Sequence, residues 1–314
     1  MLAFVARRLA TLVLTLLATA TVAFFVLEVV PGDPALDMLG TEVRADTLAA
    51  LRVQLGLDKP LWRRYVEWIA GFPTGDLGLS YRYRVPIASL LAEPLAITLP
   101  LGLFAIVLTT AVALPLGALA AAHQGRPLDV MVTAFSQIGL AVPNFWLAVL
   151  LILVFSVGLG LFAAGGFPGW SAGVGPALTA LLLPALSLAL PQAAIIARIT
   201  RSAVLEVLGA DFVRTARAKG LSRDATLWRH VLRNAMVPVV TVMGVQFTFL
   251  LAGSIIVENV FYLPGLGRLL YNAVIQRDLY VVKNVVVLIA GLILVMNFLV
   301  DLSYAALNPR LRRG

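Results

Sequence analysis

Long apolar runs separated by shorter polar stretches dominate the pattern of hydrophobic and polar positions along this chain. A transmembrane helix needs about 20 consecutive apolar residues, because it crosses about 30 Å of hydrocarbon at about 1.5 Å per residue. Runs of this length predict an all-α integral membrane protein with about six transmembrane helices, at roughly residues 9–30, 95–121, 130–158, 177–198, 238–260 and 285–306.

The longest charge-free stretch, residues 130–197, contains 68 residues and is too long for one crossing. The run Gly165-Gly166-Phe167-Pro168-Gly169-Trp170 consists largely of turn-forming residues, so it predicts a break into two spans. The first span follows Arg7 and Arg8 as the core of a signal peptide would. Its apolar run exceeds the roughly 7–15 residues of such a core, which favours a retained helix.

Basic residues are concentrated in alternate loops, and this bias sets the predicted orientation. The outer segment 31–93 has seven basic and eight acidic residues, whereas 14 of the 24 basic residues fall inside if the N-terminus is cytoplasmic. The pattern predicts a multi-pass protein with both termini in the cytoplasm. The inner basic residues are Arg7, Arg8, Arg126, Arg198, Arg201, Arg214, Arg217, Lys219, Arg223, Arg229, Arg233, Arg310, Arg312 and Arg313.

Composition narrows the class of protein. Hydrophobic residues make up 61% of the 314 residues and charged residues 13%, with a mean hydropathy of +0.96. A soluble domain carries roughly a quarter charged residues, so lipid is the expected solvent and membrane lipid the expected surrounding. The net charge of +8 resides in loops between apolar runs, which argues against nucleic acid as a partner. Cysteine is absent, and His123 and His230 form no metal-ligand pattern.

The outer segment 31–93 is expected to hold two short helices, the first capped by Asp46 and the second started by Asp58 and Pro60. Three aromatic residues of the second helix are typical of a membrane–water interface, namely Trp62, Tyr65 and Trp68. Two interpretations remain open at this point: an anchor lying on the bilayer, and a docking surface for an external protein.

The inner segment 198–237 shows two amphipathic helices joined at a glycine. Asp211 is expected to cap the first, and Phe212 and Ala216 fall one turn apart on a single face. Gly220 then suits a left-handed C-cap. The second helix starts at Ser222 and repeats apolar residues at Leu227, Val231 and Ala235. A helix pressed into a protein groove explains this stripe better than one lying on lipid.

The residues of this segment resemble a known motif. Residues 211–221 read DFVRTARAKGL, and residues 230–238 read HVLRNAMVP. They are similar to the "EAA" loop of permeases from the dipeptide/oligopeptide/nickel (glutathione) branch of ATP-binding-cassette importers. The Glu-Ala-Ala of the general motif falls on Arg214, Thr215 and Ala216, so its glutamate is absent, as is usual in this branch.

Further matches to that family extend over the whole chain. They are Pro31-Gly32-Asp33-Pro34, residues 54–58 (QLGLD), residues 75–80 (GDLGLS), residues 264–267 (PGLG), Arg277-Asp278, Val300-Asp301, Tyr304 and Asn308-Pro309-Arg310. The chain resembles the permease type with a large external loop after the first span. The implied division is residues 1–30 for the first helix, 31–94 for the external region and 95–314 for a five-helix core with coupling loop 198–237.

The resemblance implies a type I importer permease in a bacterial inner membrane. Its implied partners are a paralogous second permease, two cytoplasmic ATPases and an external solute-binding protein, with peptides as the substrate. ATP and Mg²⁺ would be bound by the ATPases, since this chain has no phosphate-binding loop and no cofactor of its own. The implied ATPase-coupling residues are Asp211, Phe212, Arg214, Thr215, Ala216, Arg217, Lys219 and Gly220.

Polar uncharged residues within the predicted spans are candidates for the translocation path: Gln137, Asn144, Gln192, Gln246, Ser254 and Asn297. Each could instead make a hydrogen bond between helices. Glu28, Glu258 and Asp301 lie near span ends and are interpreted as interfacial.

Alternatives to the importer reading also remain. A gradient-driven carrier would need intramembrane carboxylates and an inverted repeat, and an intramembrane hydrolase would need paired catalytic groups. Neither pattern is present in the sequence. The same permease type could also carry nickel chelates, glutathione or oligosaccharides.

Overall fold

A computed structural model describes residues 2–29, 33–39 and 44–307 of the chain. Pro31-Gly32, Asn308-Pro309-Arg310 and the last two arginines lie outside these ranges. The described helices are α1 (Leu2–Glu28), α2 (Pro34–Leu39), α3 (Ala45–Gln54), α4 (Leu61–Thr74), α5 (Ile87–Ala122), α6 (Pro127–Ala141), α7 (Asn144–Leu151) with a π-helical extension (Ile152–Gly158), α8 (Val174–Leu208), α9 (Asp211–Ala218), α10 (Arg223–Thr226) with a π-helical turn (Leu227–Val231), α11 (Leu232–Val260), α12 (Leu266–Ile275) and α13 (Leu279–Leu307).

Helix α8 is the centre of the bundle. It packs against α5, α6, α7 and α11, and it is the most buried of the five long apolar helices in the described part of the chain. Small residues allow these helices to approach closely. A Cβ added to Gly117 of α5 or to Gly139 of α6 would collide with α8 at Ala197 or Ala194. The α5–α8 and α6–α8 contacts therefore depend on these glycines.

The third predicted span, 130–158, is not a single helix. Helices α6 and α7 meet at an angle of 105°. Val142 has an extended backbone with φ −88° and ψ 118°, and Pro143 follows it. A residue before proline is pushed out of the α region, so the chain turns here and α7 starts again at Asn144. The Gly/Pro-rich break predicted after this region is confirmed, because helix ends at Gly158 and resumes at Val174.

Several predicted spans were shorter than the helices in the structure. Helix α5 begins at Ile87, eight residues before the predicted 95, although Pro94 and Pro100 lie within it. Helix α8 runs on to Leu208 rather than ending at 198. The inner segment therefore includes the ends of two long helices, with α9 and α10 between them. Helix α12 was not predicted at all.

Helices α1 and α13 pack together at the edge of the bundle. At one end, Arg8 of α1 forms an ion pair with Asp301 of α13 at 3.0 Å. At the other end, Glu28 pairs with Arg64 of α4 at 2.9 Å. The N-terminus of α1 and the C-terminus of α13 thus lie at the same end of the molecule.

Helix α4 of the external segment is held against the protein, contrary to the interfacial prediction for two of its aromatic residues. Trp68 stacks on Phe24 with ring centroids 5.5 Å apart, and its indole N–H donates to Asn284 Oδ1 at 3.1 Å. The Tyr65 hydroxyl lies 2.7 Å from Thr21 Oγ1. Only Trp62 is largely exposed, at 67%. The aromatic residues at 65 and 68 therefore fasten α4 to α1 and α13.

The helix starts in the outer segment also differ in detail from the prediction. Arg44, not Asp46, is the residue preceding α3 in extended conformation, and Asp46 lies within the first turn. Its carboxylate accepts from Thr47 N at 3.0 Å instead of capping the helix. Pro60 directly precedes α4, which confirms the second start.

Candidate coupling surface and transmembrane path

Helix α9, the predicted coupling helix, is attached to the bundle by one side chain. Val213 is 1% exposed and belongs to a buried cluster with Val204 of α8 and the inner end of α11. The predicted stripe of Leu227, Val231 and Ala235 is confirmed, since all three are buried in the same cluster. The cluster joins α9 to the ends of α8 and α11 through Val213.

The ends of α9 are defined by the backbone. Gly220 has φ +89°, its N–H donates to Arg217 O at 2.9 Å, and the N–H of Leu221 donates to Ala216 O at 3.3 Å. This is the Schellman pattern, which confirms the predicted glycine C-cap. Ser222 then caps α10 by accepting from Ala225 N at 3.2 Å, also as predicted.

The predicted N-cap of α9 is wrong by one residue. Ala210 takes the extended cap conformation, and Asp211 is the first helical residue with no capping hydrogen bond. The Asp211 side chain is 98% exposed and lies 3.8 Å from Arg214. An acidic group in the first turn still interacts favourably with the positive end of the helix dipole. Asp211 therefore stabilises the helix even though it lies one residue after the cap.

The remaining surface of α9 is uncovered. Phe212 is 44% exposed, and Ala216, one turn further along the helix, is half-buried. The other predicted coupling residues are exposed: Asp211, Arg214, Thr215, Arg217, Lys219 and Gly220. An apolar centre of Phe212 and Ala216 surrounded by basic side chains is the anatomy of a docking face with a charged rim.

An ion pair that sequence analysis did not single out supports the same end of the bundle. Arg201 of α8 binds both carboxylate oxygens of Asp129 on α6, with Nη2 at 2.8 Å from Oδ2. Asp129 is 5% exposed and also accepts from Gly125 N at 2.9 Å. Arg201 was counted only as a basic loop residue, because its partner lies 72 positions away in the sequence.

The six predicted path residues do not form one cluster. Gln192 of α8 and Gln246 of α11 are buried, and the Oε1 of each has no hydrogen-bond partner among the described residues. Ser254 donates to Leu251 O within its own helix at 2.8 Å. Asn144 lies against Gly253, where an added Cβ would come within 2.7 Å of its Nδ2. Asn144 and Ser254 therefore contribute to packing, whereas Gln192 and Gln246 retain unused acceptors.

The other two path residues face open space. Gln137 is exposed on α6. Asn297 lines a cavity of about 670 Å³ between α11 and α13, together with Thr241, Thr248 and the Arg8–Asp301 pair. This cavity and the exposed face of α6 are surfaces that a second membrane subunit could complete.

Glu258, interpreted from the sequence as interfacial, is fully buried at the end of α11. Its carboxylate accepts from the Thr98 hydroxyl at 2.6 Å and from Gly267 N at 2.7 Å. Thr98 Oγ1 in turn accepts from Leu266 N at 2.8 Å. The first backbone N–H groups of a helix lack intrahelical partners, and here Glu258 and Thr98 satisfy those of α12. Two of these backbone N–H groups, those of Leu266 and Gly267, belong to the PGLG run at residues 264–267. Glu258 is therefore buried against this run.

A bundle of long apolar helices with a short, exposed, basic amphipathic helix at one end is the architecture of a multi-pass membrane protein. The chain matches the sequence profile of the family described as binding-protein-dependent transport system inner membrane component over residues 113–313, and that of its N-terminal region over residues 1–101. The chain belongs to this family and is the permease subunit of an ATP-binding-cassette importer.

Relatives and solved structures agree with that assignment. The dipeptide transport system permease protein DppB of Escherichia coli K12 is 39% identical over 336 residues, covering 99% of both chains. A Brucella abortus strain 2308 permease protein named for a peptide transport system is 38% identical over 319 residues, again covering 99% of both. An inward-facing structure of the MetNI methionine ABC transporter shares the fold, with a TM-score of 0.59, 23% identity, and coverage of 70% of this chain and 96% of that one.

Proposed function

We propose that this chain imports peptides, as one of two permeases that together enclose the translocation path. The observation that carries the proposal is the similarity to a dipeptide permease along 99% of both chains, including the external segment. A paralogous second permease would complete the path beside the exposed face of α6 and the 670 Å³ cavity. An external solute-binding protein would deliver the peptide.

ATP hydrolysis is assigned to two partner ATPases, which would bind the ATP and Mg²⁺. Helix α9 is proposed to occupy a groove of one ATPase, with Phe212 and Ala216 against the groove floor and Arg214, Arg217 and Lys219 near acidic groups on its rim. The single buried anchor at Val213 supports this role, because movement of α9 would carry α8 and α11 with it. Rigid movement of packed helices about an interface is an established way of switching between two arrangements.

Both termini are proposed to lie in the cytoplasm of a bacterial inner membrane. The Arg8–Asp301 contact places the N-terminal end of α1 and the C-terminal end of α13 on the same side of the membrane. This arrangement requires an even number of crossings. Five long helices and one bent pair satisfy this if the pair counts as one crossing. The excess of lysine and arginine at that end then favours the cytoplasmic side.

The proposed function is tested by uptake in proteoliposomes that contain this chain with its co-purified partners and its binding protein. Radiolabelled dialanine is expected to accumulate only when ATP is present inside vesicles whose ATPases face the lumen. Uptake driven by a proton gradient without ATP would contradict the importer mechanism. Uptake of a nickel chelate, glutathione or an oligosaccharide in place of dialanine would refute the peptide assignment while leaving the importer mechanism intact.

A further inference from the structure

A second cavity lies at the opposite end of the bundle from α9, and we call it the outer cavity. It has a volume of about 510 Å³ and lies where α1 ends and α13 begins, beneath the external segment. Its volume falls within the roughly 300–1,000 Å³ typical of small-molecule sites. The walls come from four separate parts of the chain, and the residues used below are Glu28, Asp33, Arg52, Asp58, Arg64, Tyr81 and Lys283.

Three wall residues hold buried donors that nothing satisfies. Lys283 Nζ, Tyr81 Oη and Arg64 Nε have no hydrogen-bond partner among the described residues. Lys283 is 2% exposed and Tyr81 is 6% exposed, so bulk water does not replace the missing partners. Unpaired buried polar groups are rare in native proteins and costly. All three residues line the outer cavity, so an oxyanion bound there would supply the missing acceptors once these side chains turn toward it.

Aromatic rings surround the Lys283 ammonium but do not meet its hydrogen-bonding needs. Nζ lies 3.4 Å from the ring centroid of Tyr280, 5.0 Å from that of Phe24 and 5.1 Å from that of Trp68. Such rings attract a cation through their faces. Their faces provide no lone pair for a hydrogen bond, and Nζ has no hydrogen-bond partner among the described residues. The flexible four-carbon stem of lysine lets the ammonium move toward the cavity when an acceptor arrives.

The charges around the cavity favour an oxyanion. Glu28 is paired with Arg64 at 2.9 Å, and Asp33 is paired with Arg52 at 2.5 Å. Lys283 is then the one wall cation, within the described residues, that has no carboxylate partner. Burial raises the pKa of the Tyr81 phenol, so its hydroxyl keeps its proton and remains a donor. All three unsatisfied groups therefore present hydrogens.

We propose that the outer cavity binds an oxyanion, a phosphate or a carboxylate, through Lys283, Tyr81 and Arg64. The exposed Asp58 on the same wall has no partner among the described residues, and it would face an ammonium on the same ligand. A zwitterion with phosphate or carboxylate at one end and ammonium at the other fits this distribution. At the outer end of two spans, such a group is available as a phospholipid headgroup or as a dissolved solute.

Native mass spectrometry of the purified, delipidated full-length chain tests the site. The lipid probe is dioctanoyl phosphatidylethanolamine with dioctanoylglycerol as its headless counterpart, and the soluble probes are inorganic phosphate and glycylglycine. Lys283→Met is expected to weaken phospholipid binding about tenfold, since a charge-assisted hydrogen bond is lost. Lys59→Met, which removes an equal charge outside this cavity, is expected to leave binding unchanged.

Tyr81→Phe provides a second test that does not depend on the charge. Deleting a hydroxyl that lacks a protein partner should not lower the thermal midpoint of the ligand-free chain, yet it should weaken binding at least threefold. Tyr83→Phe is the matched control, because Tyr83 is 49% exposed and its hydroxyl already accepts from Gln276 Nε2 at 3.1 Å.

The outcomes separate the two sources of the ligand. Phospholipid binding that depends on Lys283 and Tyr81 supports the site and assigns it to a lipid headgroup. Binding of phosphate or glycylglycine with the same dependence supports the site and assigns it to a solute. Equal binding by all variants, or diacylglycerol binding as tightly as phospholipid, would overturn the proposal.

Discussion

Gly220 is the residue on which the geometry of the coupling helix depends most directly. Its φ of +89° lies in the left-handed region, and an added Cβ would have no neighbour within 4 Å in this chain. A substitution is therefore strained by the backbone rather than by crowding, at a cost of about 1–2 kcal/mol. Any steric demand at this position has to come from a partner.

Gly220→Asp is expected to leave the protein inserted while reducing ATP-driven dialanine uptake at least tenfold, with ATP hydrolysis retained. The substitution strains the C-cap and places a negative charge beside Lys219 on the docking face. Gly75→Asp is the matched control, since Gly75 also lies at a helix C-cap with a positive φ, of +76°, and has no neighbour within 4 Å. Equal loss of uptake in both variants, or wild-type uptake in Gly220→Asp, would argue against a coupling role.

The Asp129–Arg201 pair is the residue-scale contact with the largest expected effect on stability. Arg201→Met leaves the Asp129 carboxylate without its charged partner, which is expected to cost about 1.5–3 kcal/mol. Arg63→Met is the comparison, because the Arg63–Glu67 pair is exposed to solvent and such pairs contribute little to stability. Unfolding of the purified chain in detergent measures both. A similar small loss in each would show that the Asp129 site is solvated.

Residue-level predictions from the sequence succeeded where the chemistry was local. The Ser222 cap and the Gly220 C-cap depend on atoms within a few positions of each other, so the sequence contains the information. The predicted cap at Asp211 is displaced by one position, since Ala210 takes the extended cap conformation and Asp211 is the first helical residue. Glu258 was misread because its partner Thr98 is 160 residues away.

At the scale of elements, the attachment of α4 distinguishes the external segment from a loose loop. Trp68→Phe keeps an apolar ring but deletes the hydrogen bond to Asn284, which is expected to weaken the docking of α4 by about 1 kcal/mol. Hydrogen–deuterium exchange of residues 61–74 should then increase about fivefold. Trp62→Phe on the same helix is the control, and exchange that rises equally in both variants would contradict the assigned contact.

Six helical regions were predictable from apolar length, but the shape of the third was not. Pro143 coincides with the 105° bend between α6 and α7, whereas Pro94, Pro100 and Pro115 lie inside the continuous helix α5. Proline thus accompanies a bend in one place and a continuous helix in another. The difference depends on whether neighbouring helices supply hydrogen-bond partners for the freed backbone groups. The sequence shows where the proline lies, but it does not show whether the helix bends there.

At the scale of the whole molecule, the two ends of the bundle have different chemistry. The inner end presents α9, with basic side chains around Phe212, and is supported by the Asp129–Arg201 pair. The outer end encloses Glu258 and the outer cavity with its unsatisfied donors. The outer cavity joins residues as far apart as Glu28 and Lys283, so only the folded chain reveals it. An importer permease needs such a difference, since its two faces meet different partners.

Affinity purification of the tagged chain in mild detergent, with mass spectrometry of the accompanying proteins, tests the central claim most directly. The account predicts a second permease and one or two ATPases, with the ATPases lost when residues 211–220 are scrambled. Scrambling the exposed outer helix α3, residues 45–54, should leave these partners in place. A chain that purifies alone, or one that keeps its ATPase after residues 211–220 are scrambled, would contradict the proposed coupling through α9.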